Sequence, residues 1–294
     1  MIQSMTGYGA ADGPFGGGRV AVELRTVNHR FFNPSLKLPS RLQRWEPELR
    51  EALRRRIARG HVTLVARVEV AGGAGATVDE ARAAAYVAQL RGLHERLGLD
   101  GGVDLATILR LPEVLRPAGG EDEAAVEGGA DELLAVVERA LDELAAMRGA
   151  EGARLADELR ERVTVMETAM ARIAERAPGR LVEQRDRLRA AVRELTDGVA
   201  VDEQRIAQEI AILADRIDVQ EEVARFASHV AAFRSTLETG AADGVGKRLG
   251  FLVQELLREA NTTGSKANDA AIVQNVLLLK EELERIREQV ENLE

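Results

Sequence analysis

The chain has 294 residues, 45% hydrophobic and 30% charged, a globular composition that excludes general disorder and leaves room for more than one domain. It contains no cysteine, which excludes disulfides, thiolate metal sites and cysteine nucleophiles, and suits a reducing compartment. The net charge of -9 is unevenly spread: residues 1–70 hold 12 Lys/Arg against 6 Asp/Glu, a net of +6, so the remainder carries -15. That split describes either a basic module that attracts a polyanion or an acidic half made of solvated helix faces. With no run of about 18 apolar residues and no basic N-terminal segment leading into an apolar one, a cytoplasmic chain that makes no use of a membrane is expected.

In chain order, residues 19–27 and 61–70 alternate apolar and polar side chains and predict two half-buried strands. Residues 3–9 and 35–38 are weaker strand candidates, set off by the turn-rich 13–18 and by Asn33-Pro34. Between the strands, Leu42, Trp45, Leu49, Leu53 and Ile57 step by three and four, predicting an amphipathic helix over 41–59 that stops at Gly60. The result is a basic α+β module over 1–70, a small antiparallel sheet with a helix on one face. An Ala/Gly-rich linker follows at 71–76. Helical patterns then run over 79–97, 130–176, 179–195 and 200–239, broken at Leu111-Pro112, Gly119-Gly120, Pro178-Gly179 and Gly240. These divide into helical middle arms over 71–199 and a helical C-terminal domain over 200–294. Ile272, Val276, Leu279, Leu283, Ile286, Val290 and Leu293 form a heptad seam, which serves equally a tail helix docking on its own chain or a contact between copies.

Four groups of residues invite a chemical reading. Arg25, Asn28, His29 and Arg30 follow a strand and offer guanidinium and amide groups suited to phosphates and base edges; a solvated turn rim has the same composition. Asp215, Asp218, Glu222, Arg225 and His229 recur at steps of three and four, a carboxylate stripe on one helix face ending in a histidine. Oxygen donors suit Mg²⁺ or Mn²⁺, while a salt-bridged solvated face is the alternative. Glu255 and Glu259, one turn apart, are candidates to complete such a site, with Lys247, Arg248, Arg258 and Lys266 nearby for phosphates. The segment 4–9 lacks the lysine and following helix of a phosphate loop, and the four histidines fall in no nucleophile context, so nucleotide binding and a serine triad are both set aside.

Ser4-Met-Thr-Gly-Tyr-Gly, Glu23-Leu-Arg-Thr-Val-Asn-His-Arg-Phe, Arg59-Gly-His-Val, Leu111-Pro-Glu-Val-Leu, Glu209-Ile-Ala-Ile-Leu-Ala-Asp-Arg, Arg258-Glu-Ala-Asn-Thr-Thr-Gly-Ser-Lys and Ile286-Arg-Glu-Gln-Val-Glu-Asn resemble, in this order, the YicC/YloC family. Gly250 and Asn33 depart from it, standing where acidic residues are expected. The resemblance implies a divalent-metal-dependent endoribonuclease of the cytoplasm, a hydrolase cutting RNA internally in RNA turnover, assembled as a homo-oligomer, a hexamer by family pattern. Laid over it, the chemistry assigns Asp215, Asp218, Glu222, Glu255 and Glu259 to Mn²⁺ or Mg²⁺. It assigns Glu222 and His229 to catalysis, and Arg25, Asn28, His29, Arg30, Lys247, Arg248, Arg258 and Lys266 to RNA. The competing class is a non-catalytic RNA-binding adaptor or helical scaffold that recruits another nuclease or RNA-decay protein.

Overall fold

Alternation along residues 18–27 and 60–69 puts Val20, Val22, Leu24 and Thr26 on one side of a strand and Val62, Leu64 and Ala66 on the same side of its neighbour. These strands are the centre of a sheet in a computed structural model that describes residues 2–69, 76–98, 104–117, 128–196, 202–241 and 244–294. The elements are β1 (Gly7–Phe15), β2 (Gly18–Val27), β3 (Phe32–Lys37), a 3-10 turn (Ser40–Trp45), α1 (Glu46–Arg56), β4 (Gly60–Glu69), β5 (Ala76–Val78), α2 (Glu80–Leu97), α3 (Leu105–Leu109), β6 (Leu115–Pro117), α4 (Ala130–Thr196), α5 (Glu203–Ile217), α6 (Gln220–Thr239), α7 (Val245–Lys266) and α8 (Ala270–Val290). The fold is α+β, and mostly helical after the sheet.

The chain divides into a sheet unit, Tyr8–Ala145, and a helical unit made of Met1–Gly7 with Ala146–Glu294. The division falls inside α4 rather than at residue 70 or 199. Of the expected linker at 71–76, residues 71–75 lie outside the described residues, as do the break at Gly119-Gly120 and the boundary at 199–200, while Ala76 begins β5.

In the sheet unit the strand order is β1-β2-β4-β3. β2 pairs antiparallel with β4, but β3 pairs parallel with it, Phe32 opposite Gly60, so the sheet is not wholly antiparallel as expected. The 3-10 turn and α1 supply the crossover that a parallel pair requires. Gly16 and Gly17, at φ 52° and 79°, tighten the β1–β2 turn into the left-handed backbone of a two-residue hairpin, and shorten the predicted 13–18 loop. β1 begins four residues later than the 3–9 strand candidate. One face of the sheet packs on Leu49, Leu53 and Ile57 and on Leu133, Val137 and Leu141 of α4. Arg56 ties α1 to α4 through Glu138 at 2.9 Å and Asp142 at 2.5 Å.

In the helical unit the heptad residues from Ile272 to Leu293 are all buried in the chain's own core, with Val230 and Phe233 of α6 and Leu249, Leu252 and Leu256 of α7. The seam therefore closes this unit rather than waiting for a second copy. The residues expected to start a strand meet the chain's last ones: the Gln3 N–H donates to the Glu294 carbonyl at 3.0 Å and Ser4 bridges Leu293.

Two predicted helix boundaries fail. α4 runs through Pro178, where a break was expected. Proline removes one helical hydrogen bond and crowds the preceding turn. The helix is held on both sides of it by Arg176, bonded to Asp269, and by Arg180, bonded to two main-chain carbonyls. Conversely, the predicted single helix over 200–239 is two helices, interrupted at Asp218-Val219.

Candidate functional site

That interruption rearranges the carboxylate stripe. α5 ends at Ile217; Asp218 is extended, at φ -65° and ψ 129°, and its Oδ1 accepts the Gln220 N–H at 2.9 Å. Aspartate competes well for main-chain N–H groups, so a local bond that starts α6 wins over continued helix. Asp215 thus sits on α5, Asp218 on the joint, and Glu222, Arg225 and His229 on α6, so the five do not share one helix face. Asp215 and Asp218 are exposed, and both line a cleft of about 510 Å³ with Pro178, Arg180, Leu181 and Val223. Arg225 pairs with Glu221, and His229 is half-buried.

Glu222 turns inward. Its residue is 5% exposed, its Oε1 accepts from Lys266 Nζ at 2.7 Å, and its buried Oε2 has no partner among the described residues. Lys266 closes α7, so the structure brings together one proposed metal ligand and one proposed phosphate contact as an ion pair. A carboxylate held in this way is neutralised by its ammonium partner and is costly to separate from it.

Three residues that the sequence reading passed over are linked to Lys266 through Arg180. Arg180 is 2% exposed; it donates to the Lys266 carbonyl at 3.0 Å and to the Ile217 carbonyl, and its Nε is buried without a partner among the described residues. Burial lowers the pKa of its guanidinium, opposed by the charge of Asp269. Asp269 caps α8 by accepting the Ile272 N–H at 3.0 Å and pairs with Arg176 at 2.8 Å. Arg176 holds the Asp269 carboxyl below the usual carboxylate range. The sequence signals were present: Arg176 and Arg180 lie one turn apart, and Asp269 directly precedes an apolar-periodic run, as N-caps do. Reading Pro178-Gly179 as a break concealed the first.

The remaining acids do not join them. Glu255 pairs with Arg258 at 3.7 Å on its own helix, and Glu259 is 3% exposed with no bond to its carboxylate among the described residues. No three His, Asp or Glu side chains converge as a metal cage among the described residues. Lys247 and Arg248 are exposed in the first turn of α7, with Arg248 over the Phe251 ring at 5.8 Å. Gly250, expected to be acidic, faces open space.

In the sheet unit, Arg25 stands on the uncovered face of β2, 3.5 Å from Glu23 and 5.6 Å from the centre of the Tyr8 ring. Asn28, His29 and Arg30 occupy the connection to β3 and are exposed. The Phe31 N–H donates to His29 Nδ1 at 3.2 Å, and Arg30 lies 5.2 Å from the centre of the Phe31 ring. Asn33 is exposed on β3, opposite His61.

Two family models and two named relatives match this chain. Residues 2–157 match the family model described as Endoribonuclease YicC-like, N-terminal region, and residues 173–294 match Endoribonuclease YicC-like, C-terminal. A protein of Clostridioides difficile named Probable endoribonuclease YicC is 30% identical over 297 residues, covering 100% of both chains. One of Haemophilus influenzae with the same name is 32% identical over 296 residues, again with 100% of both covered. With both halves of its length matched in order, the chain belongs to the YicC-like endoribonuclease family.

Proposed function

We propose that this chain cleaves RNA phosphodiester bonds internally with the help of Mg²⁺ or Mn²⁺, at the cleft bordered by α4 and the α5–α6 joint. The observation that carries the placement is that two exposed acidic residues, Asp215 and Asp218, line one cleft together with Arg180. Two carboxylates are fewer than a protein cage requires, yet they suit an ion of the magnesium type, which commonly uses one or two carboxylates and completes its shell with water and substrate phosphates. Asp215 and Asp218 would hold the ion, which would neutralise phosphate charge and make a bound water more acidic.

The chain's own groups divide the remaining work. Asp218 is fixed by its bond to Gln220, so one of its oxygens keeps its direction. Arg180 brings fixed positive charge without flexibility, since both of its terminal nitrogens are engaged. Glu222 and Lys266 act as a positioning pair that locks α6 to the end of α7. His229 is assigned to proton transfer, and Lys247, Arg248 and Arg258, on α7, to phosphate contacts. Glu255 and Glu259 take no direct part in this scheme. Action in the cytoplasm as a homo-oligomer, a hexamer by family resemblance, completes the reading; both relatives carry the name Probable endoribonuclease YicC. The specific observation favouring a non-catalytic adaptor is that no three ligands converge among the described residues.

The test is a labelled single-stranded RNA incubated with the full chain, with Mg²⁺, Mn²⁺ or a chelator, and with a variant carrying Asp215→Asn and Asp218→Asn. Asparagine keeps a capping oxygen at 218 while removing the charge. Internal cuts that require the ion and fall by about 100-fold in the variant, with RNA binding retained, support the assignment. Cleavage at the original rate in the variant removes the cleft from consideration, and binding without cleavage by the unaltered chain selects the adaptor.

A further inference from the structure

The uncovered face of the sheet carries a feature that phosphate binding alone does not need. Side chains at Glu23, Arg25 and Val27 on β2 alternate with the buried Leu24 and Thr26, and register places Arg25 opposite Thr63 and Val27 opposite His61. At this end of the sheet, three large apolar side chains are presented outward: Tyr8 is 40% exposed, Val27 49% and Phe31 64%. Phe31 belongs to the same end, because its carbonyl accepts the Gly60 N–H and β3 begins opposite Gly60. Each of the two rings has a guanidinium beside it, Arg25 at Tyr8 and Arg30 at Phe31.

Apolar and aromatic side chains exposed together at one end of a sheet mark a contact surface, and the surrounding charge indicates for what. The segment is basic: residues 1–70 carry a net of +6, and the acid beside Arg25, Glu23, is shared with Arg67 at 3.4 Å. A ring with an arginine beside it offers two things at adjacent points, a flat π face and a fork of N–H donors. Unpaired nucleotides present the matching pair, a base with a free face and a phosphate. In a duplex the faces of the bases are occupied by one another, and what remains is phosphates, 2′-hydroxyls and base edges, none of which offers a face to stack on.

We propose that Tyr8 and Phe31 form a stacking platform for unpaired bases, with Arg25 and Arg30 on the flanking phosphates, so that the sheet unit selects single-stranded RNA over duplex. This rests on the reading of the chain as a ribonuclease and adds to it the strandedness of the substrate.

The experiment measures affinity of the full chain, and of Tyr8→Ala with Phe31→Ala, for a single-stranded oligoribonucleotide and for a duplex of the same length. Tyr8→Trp with Phe31→Trp serves as the variant that restores the rings, and sedimentation records the assembly state of each. The expected result is a loss of about tenfold or more per ring on the single strand with little change on the duplex, reversed by tryptophan. Equal losses on both ligands, or none on the single strand, overturn the platform. If the alanine variant instead changes assembly state while keeping its preference for single strands, the face belongs to a second copy and the proposal fails. Cleavage is scored in parallel: a chain that cuts RNA regardless of these rings leaves the nuclease reading intact, whereas an unaltered chain that neither binds nor cuts RNA ends both.

Discussion

The sheet unit and the helical unit place their charges in opposite ways. Among the described residues, the buried charged side chains, Arg148, Arg180, Glu222, Glu259 and Glu282, all lie in the helical unit, whereas the one buried polar residue of the sheet unit is Thr26. Charges kept in water remain adaptable and cost little, which suits a surface that must accept many sequences. Arg148, Arg180, Glu222 and Glu282 are matched by fixed partners, which gives rigid geometry at the expense of tolerance.

The largest effect should come from separating a buried pair. Lys266→Ala leaves the buried Glu222 carboxylate without its partner and should destabilise the chain by about 3–5 kcal/mol in urea unfolding, whereas Glu222→Ala leaves the half-buried Lys266 with access to water and should cost less. Replacing both, with Glu222→Gln and Lys266→Met, should recover more than half of the loss. Glu23→Ala, which removes an exposed partner of Arg25 and Arg67, should cost no more than about 1 kcal/mol. Equal costs at the two positions would break the comparison.

A smaller effect tests the sheet unit in its own terms. Arg25→Gln and Arg30→Gln should each make the dependence of log affinity on log salt shallower by about 0.7 for single-stranded RNA. Stability should stay within about 0.5 kcal/mol, because both side chains are exposed. An unchanged salt slope would take these residues off the phosphate path.

The smallest effect concerns pH. Asp269 has a lowered pKa in the folded chain because of Arg176, so its contribution is complete above the ordinary value of 3.8 and is lost as pH falls through the depressed folded value. Asp269→Asn keeps the oxygen that caps α8 but removes that charge. Thermal melts from neutral pH to below 3.8 should then show a shallower acid limb in the variant, with nearly the same melting temperature at the acid end. A parallel acid limb would assign the loss to other carboxylates.

Elements governed by one period were readable from sequence. β2, β4, the buried row of α1 and the heptad of α8 appeared because each repeats at the spacing of its own geometry. Features decided by distant partners were not. Pro178 stays within a helix because Arg176 and Arg180 find acceptors about 40 to 90 residues away, at Ile217, Lys266 and Asp269. Asp218 looked like one member of a stripe because spacing cannot show that its carboxylate bonds to Gln220 and ends the helix. For the candidate site, the residue types at Glu222 and Lys266 were visible, but their neutralisation of one another was not. The burial of Arg180 left no periodic mark at all.

Arg180 also sets how the cleft can respond to whatever enters it. Its planar fork spans the last carbonyl of α5 and the last residue of α7, two ends that otherwise belong to separate stretches of chain. A rigid plane with both prongs engaged acts as a clasp of set width, so the helix ends cannot slide independently without opening one of its bonds. Pressure on the wall near Asp218 is therefore delivered to the backbone of Lys266, and through its side chain to Glu222 on α6.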